Sequence, residues 1–204
     1  MALYFVRHGE TDWNAEKRFQ SITDVPLNAR GLAQAQCCAE ELQRRGVHIT
    51  ELRCSPLSRA HVTAQIIGSA LSLEPVVDTR LMEMNFGEWE GWLEPELSRQ
   101  FGGDFDVWRQ SHYTQRPPGG EALIDVAERL SSLRDELLHA AIAADVMVVA
   151  HQAIMMALKA LLTGDYSVDA ARSYKQNNDE VDVWTLDPPR RTGFFQCKCD
   201  EREV

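Results

Sequence analysis

Apolar positions along the chain follow two different periods. Leu3-Tyr4-Phe5-Val6 and Val146-Met147-Val148-Val149-Ala150 are unbroken apolar runs of strand length, the pattern of strands covered on both faces. Glu51-Leu52-Arg53-Cys54 reads as another short strand. Between these runs the spacing changes to three and four. Leu32, Ala35, Ala39 and Leu42 form one such set, Leu57, Ala60, Ala64, Ile67 and Leu71 a second, and Leu123, Val126, Leu130, Leu133 and Leu137 a third. Each set predicts a helix with one inward face. The first follows Asn28-Ala29-Arg30-Gly31 and ends near Gly46; the second begins with Ser55 as N-cap and Pro56 in the first turn; the third begins at Glu121. Val181-x-Val183-x-Thr185 and the stretch around Phe194-Phe195-Gln196-Cys197 alternate as edge strands do. Strand–loop–helix units of this kind predict an α/β fold, with a mostly parallel central sheet in a three-layer α/β/α arrangement.

The stretch from Glu83 to Gly120 breaks this rhythm. It carries Phe86, Trp89, Trp92, Phe101, Phe105, Trp108 and Tyr113, and closes in Arg116-Pro117-Pro118-Gly119-Gly120-Glu121. Two short helices are expected here, a lid insertion at about residues 84–120 within a single domain spanning 1–204. The aromatics are expected to pack the lid onto the core.

Composition narrows the function classes. At 204 residues the chain is long enough for one domain with a sizeable core. No apolar run approaches the roughly 20 residues that a membrane span requires, and Ala2 to Val6 is too short for a signal peptide's apolar region, so a cytoplasmic location is expected. A formal net charge of −10 without a basic stripe argues against nucleic acid or an anionic membrane as partner. The five cysteines, Cys37-Cys38, Cys54 and Cys197-x-Cys199, lack zinc-site spacing and read as reduced thiols. Neither a metal nor an organic cofactor is expected. The oligomeric state is not fixed by the sequence, and a homodimer stays open.

Chemistry concentrates at the strand ends. Arg7-His8-Gly9 follows the first strand directly, and His151 ends the Val146–Ala150 run in the same way. In open α/β sheets the carboxyl edge is where ligands bind. An imidazole there is nucleophilic near neutral pH, and the adjacent guanidinium grips an oxyanion. Gly9 is expected to turn the backbone sharply and keep side-chain bulk from the ligand. An anionic substrate on an acidic protein calls for a local positive pit, supplied by Arg7, Arg59 and the histidines. His48, His61, His112 and His139 are read as surface or structural residues.

Four segments carry a resemblance. Val6-Arg7-His8-Gly9-Glu10-Thr11-Asp12-Trp13-Asn14 is similar to the signature of the histidine phosphatase superfamily, which includes the cofactor-dependent phosphoglycerate mutases. Cys54-Ser55-Pro56-Leu57-Ser58-Arg59-Ala60-His61, Leu81-Met82-Glu83-Met84-Asn85-Phe86-Gly87-Glu88-Trp89 and Val148-Val149-Ala150-His151 resemble its later motifs, in family order. The resemblance implies a phosphoglycerate mutase-like fold and a metal-independent phosphomonoesterase of histidine acid type, acting on a small phosphorylated metabolite through a phosphohistidine. It implies that His8 attacks phosphorus, Arg7 and Arg59 hold the phosphoryl oxygens, His151 neutralises developing charge, and Glu83 protonates the leaving alcohol. Asn14 and Gln20 match positions that touch phosphate or substrate. Ser21 and Gln152 stand where the family often has Gly, and are placed in the substrate-binding set.

Other features bear on which reaction is run. Glu180 falls where the family usually carries a small hydroxyl residue; it is expected to face away from the site or to pair with an arginine. The mutases usually have a longer middle insertion with an arginine pair, whereas here only Arg109 and Arg116 stand in isolation. Hydrolysis is therefore favoured over mutase-type transfer, with a weakly active phosphoryl-ligand-binding member as a further alternative. Sugar phosphates, phosphoglycerate-like acids and α-ribazole phosphate all stay open as substrates.

Overall fold

A computed structural model describes residues 1–111 and 115–197, so His112, Tyr113 and Cys199 lie outside the described residues. Its centre is a six-stranded sheet in the order β3-β2-β4-β1-β5-β6. The strands are β1 (Ala2–Arg7), β2 (Ile49–Cys54), β3 (Val76–Val77), β4 (Asp145–Ala150), β5 (Glu180–Leu186) and β6 (Pro189–Gln196). β3, β2, β4 and β1 run parallel, and β5 and β6 add antiparallel. β5 is thus an interior strand between β1 and β6, not the edge strand that its alternation suggested. Its alternation reflects an inward Trp184 opposite Val183, which packs on the other face.

The helices are α1 (Asp12–Glu16), α2 (Ala29–Arg44), α3 (Ser58–Leu71), α4 (Glu94–Gln110), α5 (Leu123–Ala143), α6 (Gln152–Thr163) and α7 (Val168–Ser173). β4 shows how the layers form. Val146, Val148 and Ala150 point into one core with α5 and α6; Met147 and Val149 point into a second core with α2 and α3. Successive strand side chains take opposite faces, so an unbroken apolar run is what a strand buried between two helical layers needs.

Local departures have physical causes. α2 buries Gly31, Gln34, Ala35, Cys38, Ala39 and Leu42, while Leu32 is 45% exposed. Gly31 takes the inward place because the β1–α1 loop presses against its backbone. α3 begins at Ser58, two residues later than the Ser-Pro signal indicated, with Leu57 at its N-cap. The segment between Glu83 and Gly120 holds a 3₁₀ turn (Gly87–Trp89) and α4, which kinks at Gly102 (φ 46°) into two helical halves. Phe19, Phe86, Trp89, Phe105 and Trp108 pack there edge-to-face or stacked, with centroids 5.2–6.0 Å apart, a spacing at which aromatic quadrupoles attract. Cys38, Cys54 and Cys197 are free and buried; Cys37 is disulfide-bonded, a departure from the expectation of reduced thiols. Among the described residues no helix is long and apolar enough to cross a membrane.

Candidate active site

Parallel pairing decides what meets at the carboxyl edge. β1 and β4 run side by side with Arg7 opposite Ala150, and the His8 amide continues the ladder to the Ala150 carbonyl at 3.0 Å. His8 and His151 therefore leave adjacent strands one residue beyond the pairing, and their ring centroids lie 5.1 Å apart. On the other side of β4, β2 ends at Cys54, which places Ser55 Oγ 2.8 Å from His151 Nε2. Three strand ends thus converge on one spot.

His8 Nδ1 lies 2.7 Å from the Gly9 carbonyl, which can only accept. The proton sits on Nδ1, and Nε2 keeps its lone pair. Burial, followed by Arg7 and Arg59, holds the His8 pKa well below the usual histidine range, so the ring is neutral. The same causes, burial first and then Arg59, His8 and Arg7, keep His151 neutral, and its Nδ1 is buried without a hydrogen-bond partner among the described residues.

Gly9 has a different reason from the one expected. It is not among the positive-φ glycines. A Cβ on it would lie 2.3 Å from the Gly31 carbonyl oxygen, and one on Gly31 would lie 2.0 Å from the Glu10 carbonyl oxygen. Two backbones touch where the loop after β1 crosses the start of α2, so the glycine serves packing. Thr63 Oγ1 accepts from the Gly9 amide at 3.1 Å and donates to the Arg59 carbonyl at 2.7 Å, tying that loop to α3.

Both arginines are held from behind. Arg59, in the first turn of α3, is fully buried, donating from Nη1 to the Thr23 carbonyl at 2.9 Å and from Nη2 to the Ser21 carbonyl at 2.7 Å. The Gln20 amide is oriented so that Oε1 accepts from Arg59 Nε at 3.0 Å and Nη1 at 3.2 Å, while Nε2 donates to Thr11 Oγ1 at 2.7 Å. Arg7 donates from Nη1 to the Gln176 carbonyl at 3.2 Å and to Gln152 Oε1 at 3.4 Å. Its Nε is buried with no partner among the described residues, a donor available to an oxyanion.

Glu83 is 7% exposed and accepts at Oε1 from the Met84 amide at 2.8 Å. Burial raises its pKa against the opposing Met84 amide, Arg59 and Arg7. A carboxyl that holds its proton more tightly than an exposed one is suited to hand it to a leaving oxygen.

A cavity of about 220 Å³ opens over these groups. Arg7, His8, Asn14, Gln20, Arg59, Glu83 and Gln152 line it, together with Arg18 and Lys175 and an apolar wall of Phe19, Phe86, Trp108, Ala153 and Met156. His151 lies just beneath, wholly buried. Ser21, expected in the substrate-binding set, does not line the cavity. Its hydroxyl donates to the Met84 carbonyl at 3.1 Å and accepts from the Phe86 amide at 2.9 Å, so the lid's backbone consumes it. Glu180 pairs with Arg191, as its position required. Sequence reasoning missed Ser55, although it stands at a strand end on the same edge. It also missed Asn178, whose Nδ2 donates to the His8 carbonyl at 2.6 Å across 170 positions of chain. No local pattern marks such a contact.

Comparison with known proteins decides the family. The model of the histidine phosphatase superfamily (branch 1) matches residues 3–193. The chain belongs to this superfamily. Phosphoserine phosphatase 1 of Hydrogenobacter thermophilus is 34% identical over 162 residues, covering 79% of this chain and 76% of that protein. A probable phosphoglycerate mutase GpmB of Proteus mirabilis is 35% identical over 142 residues, covering 68% of this chain and 63% of that protein. The solved structure of the mycobacterial glucosyl-3-phosphoglycerate phosphatase Rv2419c with VO3 superposes with a TM-score of 0.81 at 31% identity, covering 90% of this chain and 92% of that chain. The α/β architecture of this superfamily member is thus shared along nearly its whole length.

Proposed function

We propose that this histidine phosphatase superfamily member is a phosphomonoesterase that hydrolyses a small phosphorylated metabolite through a phosphohistidine on His8. The observation that carries the reading is a neutral, buried His8 whose Nε2 lone pair is free, set beside Arg7, Arg59 and a raised-pKa Glu83 in one cavity. The Nε2 lone pair attacks phosphorus. The ester P–O bond breaks, and its electron pair leaves on the alcohol oxygen, which takes the proton of Glu83. The Glu83 carboxylate then removes a proton from water, whose oxygen attacks phosphorus as the P–N bond breaks, returning neutral His8 and inorganic phosphate. The buried Nε of Arg7 and the fixed guanidinium of Arg59 supply hydrogen bonds to the equatorial oxygens. A bound dianion favours protonation of His151, which is neutral without it, so the ring can then balance part of the phosphoryl charge. Asn14, Gln20 and Gln152 complete the walls around the bound group.

The same two groups support the acid-type reading. Rate falls at low pH as His8 protonates, and His8 titrates well below the ordinary imidazole range. It falls at higher pH as Glu83 ionises, and Glu83 titrates above the ordinary carboxyl range. The expected profile is a bell whose acid limb reports His8 and whose alkaline limb reports Glu83.

Water is favoured over a second substrate as acceptor because the two arginines of the middle segment are taken up in ion pairs, and Arg18, which does line the cavity, is held by Glu16 and the Gly91 carbonyl. Arg109 pairs with Glu94 at 3.0 Å, and Arg116 pairs with Asp125. The test is p-nitrophenyl phosphate hydrolysis in EDTA by the wild type and His8→Ala, followed by 3-phosphoglycerate with and without 2,3-bisphosphoglycerate. Metal-independent turnover lost in His8→Ala supports the phosphatase. Bisphosphate-dependent isomerisation would replace it with a mutase, and phosphate binding without turnover would replace it with a binding protein.

A further inference from the structure

Beneath the site lies a charge that the chemistry above does not use. Lys159, in the middle of α6, is wholly buried among apolar neighbours, where an unpaired ammonium is strongly disfavoured. All three of its N–H bonds are taken. Nζ donates to Asp182 Oδ2 on β5 at 2.5 Å, to Gln176 Oε1 at 3.1 Å and to the Tyr174 carbonyl at 3.2 Å. The Gln176 amide is itself saturated, donating to the Phe5 carbonyl at 2.6 Å and the Glu180 carbonyl at 2.7 Å. From that anchored residue the backbone faces the active site. Its carbonyl accepts from Arg7 Nη1 at 3.2 Å, and its amide donates to Gln152 Oε1 at 3.3 Å, the same oxygen that Arg7 reaches at 3.4 Å.

We propose that Lys159 is a positioning residue for Arg7. Through Gln176 the buried Lys159–Asp182 pair fixes the backbone that holds the Arg7 guanidinium in its phosphoryl-binding orientation. Three observations favour this over a merely stabilising pair. Lys159 spends its remaining donors on the Tyr174–Gln176 segment, where no helix or strand is formed. That segment supplies an acceptor for Arg7 and places Lys175 on the cavity wall. A buried ion pair also adds little net stability over apolar residues of similar size, so stability is a poor reason for it. The inference rests on the proposed role of Arg7 as an oxyanion grip.

The experiment is a coupling cycle on p-nitrophenyl phosphate. Lys159→Met combined with Asp182→Leu removes both charges of the pair; Arg191, which also pairs with Asp182, loses that partner and keeps Glu180. Gln176→Ala removes the linking side chain and keeps the backbone groups that touch Arg7 and Gln152. Each variant is made with Arg7 present and in an Arg7→Ala background. Misplacing a catalytic contact from a distance costs about 10- to 100-fold. A fall in kcat/KM of that size with Arg7 present, and of under about twofold once Arg7 is gone, is the expected result. General loosening of the structure would lower both backgrounds alike, and that outcome overturns the inference, as does unchanged kcat/KM in both. Should the paired substitution fail to fold, Gln176→Ala decides alone. Wild-type protein without turnover would instead overturn the phosphatase reading, and the inference with it.

Discussion

Replacing Glu83 with Gln removes its proton donation and its later service as base while leaving its size and its backbone contact in place. Glutamine keeps the volume and the Oε1 acceptor that meets the Met84 amide at 2.8 Å, but it has no proton to deliver. A positioned general acid contributes about 10²- to 10⁴-fold, equivalent to about 3–5 kcal/mol of barrier, and the loss depends on how much the leaving oxygen needs its proton. An alkyl phosphate, which expels a strongly basic alkoxide, is expected to lose the full factor. p-Nitrophenyl phosphate, which expels a stabilised phenolate, is expected to lose far less from the first step. The alkaline limb of its pH–rate profile should disappear, because that limb reports Glu83 ionisation. Stability supplies an independent sign. Burial raises the folded-state pKa of Glu83 above its unfolded value, so its contribution is fully present below the unfolded pKa and fades as pH rises through the folded one. The variant should therefore gain melting temperature relative to wild type as pH increases from 4 towards 8. Kinetics on both esters and thermal melts across this range provide the test. An alkyl ester turned over as fast by the variant as by wild type, or an alkaline limb that stays intact, would refute the assignment of Glu83 as the proton donor.

Other expectations follow from single contacts. Gly9→Ala places a Cβ 2.3 Å from the Gly31 carbonyl oxygen, so urea unfolding should show a loss of about 1–3 kcal/mol, with a fall in activity because His8 adjoins the clash. Ser55→Ala removes the hydroxyl that meets His151 Nε2 at 2.8 Å; a stability cost of about 1–3 kcal/mol for the orphaned nitrogen should accompany a fall in kcat of about tenfold. Unchanged kcat in Ser55→Ala would show that His151 needs no orienting partner.

Much of this site was legible because its residues sit at strand ends. The run before His151 predicts β4 closely, since only a strand covered on both faces tolerates five consecutive apolar residues there. The run before Arg7 does the same for β1, and two parallel strands deliver their following residues to one edge without further information. What was not legible depends on contacts across the chain. Ser55 reads as an N-cap, and its hydroxyl does accept from the Leu57 amide at 3.3 Å, yet α3 starts later and the same hydroxyl meets His151, 96 positions away. Ser21 looked like a ligand-contacting residue, but the lid backbone takes its hydroxyl. Leu32 fits the helical period of α2 and still faces outward, because Gly31 must accept the approach of the β1–α1 loop. Lys159 is invisible for the same reason. Nothing near it in sequence shows that its acceptors come from the segment before β5 and from β5 itself.

The most direct test of the central claim is chemical trapping of the covalent intermediate. Enzyme mixed with a substrate bearing radiolabelled phosphate, and quenched in alkali during turnover, should carry acid-labile, base-stable label on the peptide containing His8. His8→Ala protein should show neither label nor turnover. Label on any other residue, or turnover persisting in His8→Ala, would contradict His8 as the nucleophile.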